Sequence, residues 1–161
     1  MRIILSCCAA AIAAFVGVAV SQDTGAAAQV MTTATEVTWG DPPPVFERGA
    51  SFAVVSGDPG QPGLYVVRLK MPAGYKIAPH WHPTDEHVTV LSGTLALGMG
   101  DQLDEKAMKV LPGGSYALLP AEMHHYALAK TDAIVQVHGM GPFMLTYVNP
   151  ADDPSKRAAA N

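Results

Sequence analysis

From Ser51 to Val148 the chain is a succession of extended runs rich in Val, Leu, Tyr or Thr, each closed by a cluster of turn-forming residues. Ser51–Val55 precedes Ser56-Gly57-Asp58-Pro59-Gly60, Leu64–Met71 precedes Pro72-Ala73-Gly74, and Thr94–Met99 precedes Gly100-Asp101. Further on, Ser115–Leu119, Tyr126–Ala129, Ile134–His138 and Met144–Val148 are each followed by a group containing Pro, Gly, Asp or Asn. Short strands at regular spacing with turn signals between them predict an all-β sandwich or barrel.

Within that pattern one stretch carries chemistry. His80 and His82 are two apart, so on an extended strand both imidazoles leave one face, roughly 6.5 to 7 Å apart along the backbone, and can converge on one ion. Pro79 and Pro83 bracket the pair, Pro83-Thr84-Asp85 supplies a turn, and Glu86 opens the alternating run Glu86-His87-Val88-Thr89-Val90-Leu91. Two imidazoles and a carboxylate form a mixed nitrogen and oxygen donor set. Such a set suits a divalent transition metal, Fe, Mn, Ni, Co or Zn, better than Mg or Ca.

The spacing Gly74, His80, His82, Glu86, Gly93 resembles the first conserved motif of the cupin superfamily, and Gly114, Pro120, His125 resembles the second. Glu122 stands where the family usually has Gly, and Ala129 where it often has Asn. Because Glu resists positive φ, the first exchange predicts an altered turn between Pro120 and His125. The resemblance implies a single-domain, double-stranded β-helix, a jelly-roll barrel, over residues 51–148. It also implies His125 as a further metal ligand beside His80, His82 and Glu86, with His124 and His87 turned away from the ion. His138 is a candidate substrate-binding residue, because its strand returns towards the metal; a core or surface histidine is the competing reading. Trp81 is expected on the opposite face from the two histidines. Tyr65, Arg68, Phe143 and Tyr147 lie on strands that could line the cavity, and an inward Arg68 would favour an anionic substrate.

The 161 residues make a one-domain length that can bury a core without staples. A net charge of -4, with no basic stripe, argues against nucleic acid as a partner. Residues 3–20 form an apolar run behind Arg2, followed by Ala19-Val20-Ser21 and then Ala26-Ala27-Ala28, which reads as a signal peptide over residues 1–28. That predicts a periplasmic or secreted protein with no stable membrane insertion. Cys7 and Cys8 both fall in this leader, so the mature chain has neither a disulfide nor a thiolate ligand.

Residues 29–50 read as a lead-in, with a short strand over Glu36–Trp39 before the Pro42-Pro43-Pro44 run. Ser92-Gly93 predicts a hairpin from Glu86 to Met99. Residues 101–109 have room for a helical turn, and 149–161 read as a loose tail. Two functions fit: a metal-dependent enzyme of dioxygenase or lyase/isomerase type acting on a small molecule, or a non-catalytic module that captures a small ligand or the metal itself. A homodimer is implied by the resemblance, since cupins commonly pair through sheet edges.

Overall fold

The structure, a computed structural model, describes residues 29–158; the expected signal peptide lies outside them. Among the described residues ten strands follow one another: β1 (Ser51–Ser56), β2 (Gly63–Met71), β3 (Lys76–Trp81), β4 (Glu86–Ser92) and β5 (Thr94–Met99), then β6 (Lys109–Pro112), β7 (Tyr116–Leu119), β8 (His125–Ala129), β9 (Ala133–Gly141) and β10 (Thr146–Tyr147). They form two antiparallel five-stranded sheets, β1-β2-β9-β4-β7 and β10-β3-β8-β5-β6. This is the jelly-roll arrangement, and the two inner faces enclose the core.

Alternation decides which residues form that core. On β2, Tyr65, Val67, Leu69 and Met71 are buried while Leu64, Val66, Arg68 and Lys70 point away. The same period on β9 buries Val135 and Val137 and turns Ile134, Gln136 and His138 outward. On β8 every residue is buried. Its outward Tyr126 is covered by the segment that follows β5, the Tyr126 hydroxyl donating to the Asp104 carbonyl at 3.2 Å. A Cβ on Gly98 would stand 2.2 Å from the Tyr126 ring, so only glycine lets this ring lie flat on β5.

Several expectations are corrected. Glu86–Met99 is not a hairpin: β4 and β5 belong to different sheets, and at Gly93 the chain passes from one to the other. Gly93 has φ 75° and leaves only 2.0 Å between an added Cβ and the Asp132 carbonyl, so the crossing needs a residue with no side chain. Residues 101–108 form turns rather than a helix, and β6, unforeseen, pairs with β5. Glu36–Trp39 is no strand; only Gly40 bridges to Phe52. After β10 the described part of the tail carries a 3-10 turn at Pro150–Asp152 and a short helix, α1, at Pro154–Ala158. Asn149 caps the first, accepting from the Ala151 amide at 3.1 Å, and Arg157 pairs with Glu47.

The segment before β1 is more than a lead-in. Phe46 is 9% exposed and belongs to the core, and the segment around it is pinned by two tyrosine hydroxyls. Tyr147 donates to the Val45 carbonyl at 2.7 Å and Tyr75 to the Glu47 carbonyl at 2.7 Å.

Candidate metal centre

His80 lies on β3 with His125 directly opposite on β8 and Tyr147 opposite on β10. Between Ile77 and His80 the β3–β8 register shifts, a bulge that contains Pro79. Proline offers no ladder donor, and the extra residue re-aims the side chain that follows it. The shift therefore sets His80 against His125, and their ring centroids stand 4.2 Å apart. His82, just beyond the end of β3, completes the group at 5.1 Å from the His80 ring and 5.3 Å from the His125 ring.

The turn before β8 helps to hold this geometry. The amide of Glu122 donates to the His82 carbonyl at 2.8 Å, and the amide of Ala121 donates to the Asp85 carboxylate at 2.8 Å. Glu122 takes φ 62°, so the turn that its side chain was expected to disturb forms in spite of it. The left-handed conformation is strained for an L-residue, by roughly 1–2 kcal/mol. Asp85 was not singled out from sequence, where it read only as a turn residue.

Backbone carbonyls fix the tautomers of the three rings. His80 Nδ1 is 2.7 Å from the Ala78 oxygen, His82 Nδ1 is 2.6 Å from the Met144 oxygen, and His125 Nδ1 is 2.9 Å from the Met123 oxygen. A carbonyl only accepts, so each Nδ1 donates its hydrogen, and in the neutral ring each Nε2 is left with a lone pair. One such nitrogen from each ring lies within 4.8 Å of the others, and all three residues are buried. The Nε2 atoms of His82 and His125 are completely enclosed and have no hydrogen-bond partner.

Glu86 arrives from the other sheet. One of its carboxylate oxygens lies 3.3 Å from His125 Nε2 and 3.6 Å from His82 Nε2. Burial pushes its pKa up, but the contact with His125 and the charges of His82, His125 and His80 outweigh this and hold the carboxyl at about 2. It is ionised near neutral pH. Burial, followed by the neighbouring charges of His125 and His82, holds His80 down at about 3, so its ring is neutral there.

With the rings neutral, three lone pairs and an anion face one another with no donor among them. Buried polar atoms are seldom left unpaired, and a cation satisfies all of these at once. The donor set fits a divalent transition metal: three histidines can hold one, and the nearby carboxylate can complete the set. The Nδ1 contacts to carbonyls are the outer-shell support usual for histidines that bind metals.

The remaining candidates separate by face. His138 does not reach the cavity: it pairs with His87 across β9 and β4, and the two rings stack with centroids 4.8 Å apart on the outer surface. The return of β9 towards the metal end was read correctly, but the alternation of β9 turns residue 138 outward. His87 contacts the Tyr116 hydroxyl at 2.6 Å, and His124 contacts Asp101 at 2.6 Å, both away from the centre. Trp81 is half-buried. Arg68 is also outside, its Nε donating to Gln136 at 3.1 Å. Phe143 does line the cavity, its ring 5.3 Å from that of His82, and it stacks on Phe46. Tyr65 meets Phe143 edge-on at 6.0 Å, and burial together with the Glu86 charge raises its hydroxyl to about 12. Phe46 was missed from sequence. Its only signal was an aromatic residue straight after the proline run.

A jelly roll whose conserved-type spacings bring three histidines together inside the barrel defines a cupin. The chain belongs to the ChrR cupin-like domain family, whose model matches residues 27–144. No curated protein matches it. Among solved structures it is similar to KdgF from a Halomonas species, with 22% identity and TM-score 0.55 over 70% of this chain and 94% of the other. It is similar also to the polyketide cyclase RemF from Streptomyces resistomycificus, with 14% identity and TM-score 0.65 over 82% of this chain and 94% of that one. A putative acetylacetone dioxygenase from Methylibium petroleiphilum matches with 17% identity and TM-score 0.60, again over 82% and 94%. At these identities the likeness concerns the fold.

Proposed function

We propose that the protein is a metal-dependent cupin enzyme, of dioxygenase or lyase/isomerase type, acting on a small molecule inside the barrel. The observation that carries this reading is the inward convergence of three Nε2 lone pairs beside the Glu86 carboxylate, each ring fixed by a backbone carbonyl. His80, His82, His125 and Glu86 would hold the ion, which when bound supplies Lewis acidity and open positions for oxygen donors.

The protein's own groups have distinct tasks. The three imidazoles orient the site. Glu86 is the one carboxylate among the side chains lining the cavity, so it is also the group placed to accept a proton, at its carboxylate oxygen, from a substrate bound beside it. Phe143 and Phe46 exclude water on the side next to His82. Cyclase and dioxygenase activities in the names of similar structures belong to those proteins; the enclosed donor set is what makes catalysis the preferred reading here. The apolar run at residues 3–20 supports a periplasmic or secreted setting.

The test is the metal content of the purified mature domain, followed by oxygen uptake and product formation with a panel of small acids, diols and aromatics. One equivalent of transition metal and turnover of a panel member is the expected result. A domain that takes up no metal from Fe, Mn, Ni, Co or Zn sinks the proposal, and tight ligand capture without turnover replaces it with a binding role.

A further inference from the structure

The wall of the cavity is chemically one-sided. Among its lining side chains, only His80, His82, Glu86 and His125 are polar, and these four cluster at one pole; the rest are Phe, Pro, Val, Leu, Ile, Met or Ala. Val67, Leu69, Val88, Leu95, Val135 and Val137 exemplify the apolar part. Neither guanidinium, ammonium, amide nor hydroxyl lines it. Arg68 lies outside on Gln136, and the Tyr147 hydroxyl donates to the Val45 carbonyl.

That composition limits what can enter. A carboxylate or phosphate turned towards the wall would leave water and meet no counter-charge, and each hydroxyl of a polyol would lose its hydrogen bonds without replacement. At the polar pole a divalent ion beside the Glu86 carboxylate would leave one net positive charge, which balances one negative charge and not two. Size points the same way. The cavity volume is about 50 Å³, room for several water-sized groups at roughly 10–15 Å³ each, so the occupant is small.

We infer that the cavity takes a small, predominantly hydrocarbon molecule whose oxygen atoms are confined to one end and which carries at most one negative charge, as a chelating diketone or its enolate does. This rests on the metal-binding reading of the site. Sugar acids, phosphorylated sugars and dicarboxylates are excluded by the same wall.

The test is calorimetric titration of the zinc-loaded and zinc-free domain with acetylacetone, malonate and glycerol, which have similar lengths but differ in charge and polarity. Acetylacetone is expected to bind at least about tenfold more tightly than the other two, a preference that comes from the wall and persists, weakened, without zinc. Malonate or glycerol binding as tightly as acetylacetone, or no binding by any of the three, overturns the inference. Failure to load zinc or any other transition metal overturns the metal reading instead, and the titrations of zinc-free protein still decide the preference of the wall. Phe143 is half-buried next to His82, so Phe143→Arg brings a cation to the cavity and tests the charge argument. It is expected to reverse the order of acetylacetone and malonate, while Phe143→Leu keeps it; an unchanged order in Phe143→Arg counts against the inference.

Discussion

His125 Nε2 and a carboxylate oxygen of Glu86 lie 3.3 Å apart, although β8 and β4 belong to opposite sheets of the barrel. The contact brings a nitrogen donor from one wall against an oxygen donor from the other, so an ion held there ties the two sheets together. Glu86→Gln keeps the shape and removes the charge. It is expected to weaken transition-metal binding by about 10–100-fold, whereas His125→Ala abolishes stoichiometric loading. Metal analysis after dialysis distinguishes the two, and wild-type loading in either variant would refute the assignment of these ligands.

Acid stability of the metal-free protein follows from His80. Its pKa is lowered from 6.5 to about 3 by burial and neighbouring charge, so between these values the unfolded chain holds a proton that the folded chain does not. This contribution to stability is therefore complete above pH 6.5 and is lost progressively as the pH falls towards 3. Glu86, lowered from 4.5 to about 2, acts in the same direction at lower pH, its contribution being present above 4.5 and lost below it. Urea midpoints should fall from about pH 6.5 down to pH 4, and a His80→Asn variant should flatten the upper part of the curve.

Glu122→Gly should stabilise the protein. At φ 62° glycine relieves the left-handed strain, and after its larger entropy loss on folding the net gain is about 0.5–1 kcal/mol. Glu122→Val, β-branched at the same φ, should destabilise by at least as much. Denaturant unfolding of the pair checks the sign, and a loss of stability in Glu122→Gly would mean that the side chain contributes more than the strain removes.

Gly98→Ala is the opposite case. The new methyl would meet the Tyr126 ring at 2.2 Å, and Tyr126 is only 1% exposed, so the ring cannot simply swing into solvent. Overpacking of this kind is expected to lower stability by about 1–3 kcal/mol. Thermal unfolding of Gly98→Ala against the double variant Gly98→Ala/Tyr126→Leu tests the cause, because the smaller side chain should recover part of the loss.

Much of the fold is decided locally. Alternating apolar residues between glycine and proline clusters specify strands because side chains point to opposite faces with period two, and the runs from Leu64, Glu86 and Thr94 appear as strands close to the expected bounds. The spacings that bring His80, His82, Glu86 and His125 together were likewise legible, since each lies within a short-range pattern. What the sequence alone could not decide were relations that depend on which sheet a strand joins and which face a residue takes. Ser92-Gly93 reads as a hairpin turn, yet β4 pairs with β7 and β9 while β5 pairs with β6 and β8. His138 has a strand running towards the metal and still faces outward, since a single residue of register exchanges inside for outside. Phe46 closes the cavity from a segment with no periodicity to announce it, and Arg68 was placed only when β9 set Gln136 beside it. Local pattern fixes where the backbone extends and turns; the pairing of distant strands, through ladder hydrogen bonds and burial of one face, fixes which side chains meet.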